Sequence, residues 1–308
     1  MKNLRSVFYV LSFFIFRPLV YILPFRIYLE LIKMLSYLAA PFLWERERIA
    51  LKNLFLIKSF STEQVQREVK EAIQNVTLFS LLDFIVDQWD SDLCKQYVWI
   101  EGKEHLYEAL QKGKGVLLAF VHSSILGVAL PCVGQIERIY DIGRLERSSG
   151  FNFSSIHSKI RGHLWESIKT IEFTYINKKE EGISFKIRHL LKLGKVVSTS
   201  ADGQYAEKFI SVSFFDKKIQ LAKGMFQLST LFQAPILPLF CGFDWKEDVF
   251  RIWLGSPILT STPQQAAEAF SVQFQEHLKK FPSHWTGWWR MGLFKDERGE
   301  EVFHLHSI

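Results

Sequence analysis

The chain has 308 residues, of which 48% are hydrophobic and 23% charged, so the composition excludes a disordered protein and predicts a sizeable core. The formal net charge of +6 is compatible with an anionic lipid, an acidic carrier protein or a nucleic acid as partner. No basic stripe with regularly interleaved aromatic residues is present, and nucleic acid is therefore excluded from the expected partners.

The first 44 residues offer little polar surface and predict a segment that faces a membrane. Residues 7–25 form an apolar run close to the ~20 residues that a helix needs to cross a bilayer. Arg17 and Pro18 interrupt this run, because a charge is costly at bilayer depth and a proline breaks the helix ladder. Residues 26–44 have the pattern of an amphipathic helix. We expect residues 1–45 to be an interfacial or re-entrant anchor; two aromatic-rich helices buried in the core are the alternative.

Helical patterns continue after this segment. A helix start signal at Ser61 or Thr62 opens a helix over residues 62–77, and the pattern resumes over residues 78–89. A short helix over residues 104–112 ends at Gly113.

From residue 115 onward, short apolar runs alternate with helical patterns. The run 115–121 is bounded by glycine and is typical of a buried central strand. Similar runs occupy residues 139–142, 171–176, 195–199, 236–241 and 249–254. The helical patterns between them occupy residues 155–167, 182–193, 223–232 and 263–280. Residues 46–308 are therefore predicted to form one α/β domain with a largely parallel central sheet flanked by helices.

The three cysteines, Cys94, Cys132 and Cys241, are odd in number and far apart in the chain. This spacing predicts neither a disulfide framework nor a CxxC metal site. We expect three small buried side chains, as is usual in a reducing cytosolic compartment.

His122 is the main candidate for chemistry. It follows the strand 115–121 and precedes a helical pattern, and ligands of open α/β sheets gather at the carboxyl ends of strands. A histidine there is well placed as a general base near neutral pH. The alternative is a strand-end histidine that is hydrogen-bonded by Ser123 or Ser124.

Two further segments stand out. Asp202 follows the strand 195–199 and opens a turn with Gly203, which is also a common scaffold turn. Residues 285–290 contain three tryptophans and Arg290. These side chains predict either an aromatic patch for lipid or a core cap with a cation–π contact.

The ordered set of motifs resembles the lipid A biosynthesis (lauroyl/myristoyl) acyltransferases, within the wider glycerolipid acyltransferase superfamily. The matching stretches are Arg46-x-Arg48-Ile-Ala-x-x-Asn53-Leu54, Glu101-Gly102-Lys103-Glu104-His105-Leu106, Gly113-Lys-Gly115-Val-Leu-Leu, the His122 turn, Asp202-Gly-Gln204, Val212-Ser-Phe-Phe215, Lys223-Gly224, Ala234-Pro235-Ile-Leu-Pro238 and Pro282-x-x-Trp285-x-x-Trp288-Trp289-Arg290. Their order and spacing over residues 46–290 carry the resemblance.

The resemblance implies a fatty acyl donor held as a thioester on acyl carrier protein or coenzyme A. It implies as acceptor a hydroxyl or amine of a lipid, at the cytoplasmic face of a bacterial inner membrane. Basic groups would bind a phosphate-bearing substrate, with Arg147 and Arg161 as candidates beside Gly203 and Gln204. No metal and no cofactor beyond the thioester co-substrate is expected.

The central motif of that family is a histidine followed, after four residues, by an acid that orients and charges the imidazole. Here the segment reads His122-Ser-Ser-Ile-Leu-Gly127, with glycine at the acidic position. Asp202 or Asp141 is the candidate replacement acid. Alternatively, Ser123 or Ser124 orients the ring through a neutral hydrogen bond, or the chain has lost catalysis and kept lipid or carrier binding. A non-lipid A acceptor, such as a secondary metabolite, is a further alternative.

Overall fold

The computed structural model describes residues 2–39, 44–57, 60–123, 125–143, 153–175, 183–203, 206, 208–295 and 299–305. Within these ranges, helices and strands alternate through most of the chain, and the α/β class predicted from the sequence is confirmed.

Two helices, α1 (Lys2–Ile22) and α2 (Phe25–Ala39), begin the chain. The expectation that Pro18 breaks the first helix is wrong, because α1 continues through Arg17 and Pro18. The two terminal guanidinium nitrogens of Arg17 each lie 2.7 Å from a carboxylate oxygen of Asp87, so the charge is compensated by an ion pair. A proline inside a helix removes one backbone hydrogen bond, and the surrounding packing tolerates that loss here.

The second predicted helix corresponds to α2 (Phe25–Ala39), and residues 40–43 of its predicted range lie outside the described residues. Trp44 belongs to α3 (Trp44–Phe55). The helix predicted to start at residue 62 is α4 (Thr62–Leu82), and the side chain of Ser61 accepts the backbone N–H of Gln64 as expected of a cap. A 3₁₀ turn (Asp83–Gln88) and α5 (Ser91–Tyr97) follow.

Large apolar side chains are exposed on the two N-terminal helices. On α1 they are Leu11, Phe14, Ile15, Tyr21 and Ile22, and on α2 they are Ile27, Met34, Tyr37 and Leu38. No helix in the described part of the chain is both long and apolar enough to cross a bilayer.

A seven-stranded sheet forms the centre of the fold. Its strands are β1 (Val98–Glu101), β2 (Val116–Phe120), β3 (Ile139–Gly143), β4 (Ile171–Tyr175), β5 (Val196–Ser200), β8 (Ile236–Asp244) and β9 (Val249–Leu254). Their spatial order is β1-β9-β8-β2-β5-β3-β4. Every pairing is parallel except β8 with β9, a hairpin with a short turn, so the predicted largely parallel sheet is present.

Helices cover both faces of this sheet. They are α6 (Lys103–Gln111), α7 (Leu126–Gly134), α8 (Phe153–Glu166), α9 (Ile183–Lys192), α10 (Lys223–Phe232) and α11 (Pro263–Lys280). Along β2, Leu117 and Ala119 belong to one buried cluster with α9, α10 and α11, whereas Val116 and Leu118 belong to another with α6, α7 and α1. The continuous apolar runs in the sequence therefore reflect strands that are buried on both faces.

A second, four-stranded sheet was not predicted from the sequence. It contains β6 (Phe209–Phe214), β7 (Lys217–Ala222), β10 (Met291–Lys295) and β11 (Glu301–Leu305), in the order β10-β11-β7-β6. Along β6, buried and exposed residues alternate, as is usual for a strand with one face toward solvent.

The expectation of three reduced cysteines is also wrong. Cys94 of α5 and Cys132 of α7 form a disulfide with a Cα–Cα distance of 5.6 Å, and Cys241 is a buried free thiol. The two partners are 38 residues apart in sequence, and only the packing of α5 beside α7 brings them together.

Candidate active site

The backbone register brings His122 and Asp202 to the same edge of the sheet. The neighbouring parallel strands β2 and β5 end with Phe120 opposite Ser200. The backbone N–H of Ala201 then donates to the carbonyl of Phe120 at 2.7 Å. His122 and Asp202 each lie two residues beyond this last pair. Because parallel strands have the same rise per residue, the two residues lie next to each other at the end of the sheet.

Asp202 binds His122 through both carboxylate oxygens. Oδ1 lies 2.7 Å from the ring Nδ1 of His122, and Oδ2 accepts the backbone N–H of His122 at 2.9 Å. An ionised carboxylate only accepts hydrogen bonds, so Nδ1 carries the proton and Nε2 of the neutral ring is left as an acceptor. The predicted replacement acid therefore lies in contact with the predicted base.

The two side chains differ in burial. The His122 side chain is 31% exposed, whereas that of Asp202 is fully buried. Burial acts to raise the pKa of Asp202, but the charge of His122 and hydrogen bonds from His122 and Trp285 outweigh it and hold that pKa below its ordinary value. The pair thus combines an ionised, immobile carboxylate with an imidazole that solvent reaches.

Trp285 and Thr286 complete the surroundings of His122. The indole N–H of Trp285 donates to Asp202 Oδ2 at 3.0 Å. The backbone N–H and the hydroxyl of Thr286 donate to the carbonyl of His122 at 2.9 and 2.8 Å. The sequence placed Trp285 in a family motif, but nothing in it related this residue to Asp202, 83 positions away.

Of the two alternatives predicted for residues 285–290, the structure contradicts the aromatic patch for lipid and supports the core cap. Trp285 and Trp288 are 0% exposed and Trp289 is 4% exposed, so the three indoles belong to the core. The rings of Trp285 and Trp288 pack with Phe214 of β6, and that of Trp285 also packs with Phe274 of α11, which fixes the segment next to His122.

Ser123 binds the backbone and not the ring of His122. Its hydroxyl donates to the carbonyl of Cys241 at 2.6 Å, so its proton is not available to the imidazole. An isolated bridge pairs Ser123 with Trp285. Ser124, Arg147 and Gln204 lie outside the described residues, and the side chain of Arg161, on α8, is likewise not described.

Asp141 occupies a different position from Asp202. It lies on β3 beside Ser198 of β5, and the hydroxyl of Ser198 donates to its carboxylate. Burial raises the pKa of Asp141 to about 6, while the hydrogen bond from Ser198 and the charge of His122 act in the opposite direction. Of the two predicted acids, the imidazole of His122 bonds to Asp202.

Gly127 lies in the first turn of α7 and is buried. A Cβ at this position would lie 3.4 Å from Val86 and 3.5 Å from the indole of Trp165. The indole N–H of Trp165 is in turn bonded to Asp83 at 2.8 Å. The space that an acidic side chain at position 127 would enter is therefore lined by the ring of Trp165, whose orientation this hydrogen bond fixes.

Gly203 permits the close approach of β7 to the Asp202 turn. A Cβ at Gly203 would lie 2.7 Å from the Cβ of Ala222, whose backbone N–H donates to Ala201 at 2.8 Å. The prediction of substrate binding at Gly203 remains a prediction, and the described contact is one of packing.

A family model of bacterial lipid A biosynthesis acyltransferases matches residues 2–295. No curated protein matches the chain. The family model covers nearly the whole chain, including β2, the His122 turn and the Asp202 turn, and membership supports acyltransferase activity in general. The protein belongs to the bacterial lipid A biosynthesis acyltransferase family.

Proposed function

We propose that the protein transfers a fatty acyl chain from a thioester donor to a hydroxyl or amine of a lipid acceptor, with His122 as the general base. The observation that carries this proposal is the 2.7 Å contact between His122 Nδ1 and Asp202 Oδ1 in a member of an acyltransferase family. The contact supplies, from another part of the chain, the carboxylate that Gly127 cannot supply.

The proposed reaction is a direct acyl transfer. The acceptor oxygen or nitrogen attacks the thioester carbonyl carbon while Nε2 of His122 takes its proton. The C–S bond then breaks, and the thiolate of the donor leaves and takes up the proton from the imidazolium. Asp202 stays ionised throughout and stabilises the imidazolium by the Nδ1 hydrogen bond.

The donor is proposed to be acyl carrier protein or coenzyme A, and the acceptor a lipid. The formal charge of +6 is compatible with these anionic partners. Arg147 and Arg161 are proposed to bind phosphate on one of them, together with the turn at Gly203 and Gln204.

We further propose that α1 and α2 rest on the cytoplasmic face of a bacterial inner membrane. The support is the exposed apolar surface of these helices, where Phe14 is 66%, Ile15 61% and Ile22 72% exposed. Apolar surface of this extent on adjacent helices is favourable in contact with lipid and costly in water.

The first experiment measures release of free thiol from acyl-carrier and acyl-coenzyme A thioesters in the presence of membrane lipid. We expect His122→Ala to abolish thiol release and acyl-lipid formation without unfolding the protein. The control is His105→Ala, because the ring of His105 bonds the backbone carbonyl of Leu254 and not a carboxylate. Equal activity of the wild type and His122→Ala would overturn the proposal.

The same experiment separates the alternatives. Lipid or carrier binding without thiol release by the wild type would indicate a binding protein that has lost catalysis. Thiol release with no acylated lipid in the products would indicate a non-lipid acceptor, such as a secondary metabolite.

Contact with the membrane is tested by flotation with vesicles of phosphatidylethanolamine and phosphatidylglycerol. We expect the double variant Phe14→Ser and Ile15→Ser to bind vesicles at least about tenfold more weakly, because two large apolar side chains no longer enter the interface. Phe185→Ser is the matched control, since Phe185 is 74% exposed but belongs to α9. An equal effect of the two variants would contradict a contact through α1.

A further inference from the structure

The segment after α11 crosses the end of β2 and binds the backbone of the histidine turn. Pro282–His284 and Thr286–Trp289 form two 3₁₀ turns, and Trp285 lies between them. Trp285 is bridged to Ser123, and Thr286 donates twice to the carbonyl of His122. A part of the chain more than 160 residues downstream thus determines where the backbone of His122 lies.

The indole of Trp285 also binds the acid. Its N–H donates to Asp202 Oδ2 at 3.0 Å, and the same oxygen accepts the backbone N–H of His122 at 2.9 Å. The other oxygen faces the ring of His122 at 2.7 Å. Three donors therefore meet one carboxylate, and they leave it a single orientation relative to the imidazole.

The indole itself has little freedom to move. Its ring makes edge-to-face contacts with Trp288 at 5.0 Å and Phe274 at 5.1 Å between centroids. Gly287 lies directly against it, because a Cβ at that position would be 2.1 Å from Cε2 of the indole. These contacts on several sides of the ring restrict its rotation, and the direction of the Trp285 N–H is therefore fixed.

We propose that Trp285 is a positioning residue for the transfer reaction: its indole N–H fixes the Asp202 carboxylate in the orientation that holds His122, and the C-terminal segment thereby completes the base. This inference rests on the proposed function. A fully buried carboxylate whose second oxygen lost its side-chain donor would be less well solvated and freer to rotate away from Nδ1.

The test compares Trp285→Phe with Trp288→Phe. Both variants lose an indole from the same cluster, and both lose a hydrogen bond, but Trp288 donates to the carbonyl of Pro282 and not to Asp202. We expect Trp285→Phe to lower kcat by roughly 10- to 100-fold, the range for one hydrogen bond to a charged group, with KM for the donor little changed. Trp288→Phe should lower kcat only a few-fold at the same loss of thermal stability.

A pH profile distinguishes positioning from packing. Trp285 is one of the groups that hold the pKa of Asp202 low, so in Trp285→Phe the carboxylate is protonated at a higher pH. We expect the titration of the Asp202 carboxyl to move to higher pH in Trp285→Phe and to stay in place in Trp288→Phe. Equal losses of kcat in both variants, with unchanged titration of Asp202, would overturn the inference while leaving the role of His122 intact.

A second variant covers the case in which Trp285→Phe does not fold. Site-specific replacement of Trp285 by 3-benzothienylalanine keeps the size of the ring and removes only the N–H. The pKa of Asp202, followed by NMR with ¹³C-labelled aspartate, should rise in this variant. That titration needs no turnover, so an unchanged Asp202 pKa would refute the inference even if the wild type transferred no acyl chain.

Discussion

Asp202 and His122 are joined at two points, through Oδ1 to the ring Nδ1 at 2.7 Å and through Oδ2 to the backbone N–H at 2.9 Å, although 80 residues separate them in the chain. A carboxylate that binds both the ring and the backbone of one histidine fixes the rotation of the ring as well as its tautomer. The pair therefore depends on the register of β2 and β5 and not on the spacing within one helix.

Replacing Asp202 by Asn should remove most of the activity. An amide in this place can donate to Nδ1 and select the wrong tautomer, and the comparable change in a serine protease lowers turnover about 10⁴-fold. We expect a fall in kcat of about 10³- to 10⁴-fold, measured as thiol release at saturating donor. The control is Asp141→Asn, a buried acid bonded to Ser198 instead of His122. A larger loss in Asp141→Asn than in Asp202→Asn would contradict the assignment.

Introducing an acid at Gly127 should not raise activity. The Cβ of the new side chain would lie 3.4 Å from Val86 and 3.5 Å from Trp165, so its carboxyl group would have to fit beyond these contacts. Nδ1 of His122 already has a partner. We expect Gly127→Asp to lose about 1–3 kcal/mol in the free energy of unfolding, because a polar group is forced into a packed site. Urea denaturation and kcat should be measured beside Gly127→Ala. A gain in kcat would show that the ring can change partners.

Removing the disulfide should destabilise the fold. Cross-linking two residues 38 apart restricts the unfolded chain, and the loop-entropy relation gives about 4 kcal/mol for this separation. We expect reduction by dithiothreitol to lower the midpoint of urea denaturation in the wild type. The Cys94→Ser variant should have the lower midpoint already and be insensitive to dithiothreitol. A wild type insensitive to the reductant would argue against the bond.

The ion pair between Arg17 and Asp87 should contribute to holding α1 in place. Both side chains are only 14% exposed, so removal of the Asp87 charge leaves the Arg17 guanidinium poorly solvated and without its counter-ion. We expect Asp87→Asn to cost about 2–3 kcal/mol in the free energy of unfolding, less than the 3–5 kcal/mol of a fully buried pair. Glu30→Gln is the control, because this residue is 56% exposed in its pair with Lys33 and should cost less than about 1 kcal/mol. Faster proteolysis within α1 in Asp87→Asn would accompany the loss.

Acid should destabilise the protein through two buried histidines. His277 and His284 lie 3.3 Å apart between Nε2 and Nδ1, and burial lowers the pKa of His284 to about 3 and that of His277 well below its ordinary value. The unfolded chain binds these protons near pH 6.5. Stability is therefore lost as the pH falls below about 6.5, down to the folded pKa near 3 for His284.

Denaturation midpoints between pH 4 and pH 8 measure this loss. The double variant His277→Gln and His284→Phe should be less stable at pH 8 but show a shallower loss toward pH 4. A slope equal to that of the wild type would mean that other groups carry the acid dependence.

Much of the architecture could be predicted from local sequence patterns. Runs such as residues 236–241 are apolar on both faces, and only a central strand buries both, so β8 was predictable from local pattern. The helices over residues 223–232 and 263–280 were predicted with the observed ends. His122 and Asp202 were candidates because each follows such a strand, a position at which parallel sheets collect polar groups.

Features that depend on contacts between distant segments could not be predicted from local patterns. The partner of Asp202, the indole of Trp285, lies 83 residues away, and no local pattern relates the two. The bond between Cys94 and Cys132 likewise required α5 to pack beside α7. From the sequence, the charge of Arg17 predicts an interruption of the apolar helix. In the structure Asp87, 70 residues later, compensates that charge. Hydrophobic periodicity shows which face of a helix or strand is buried. It does not show which other elements pack against that face, because this depends on the packing of the whole core.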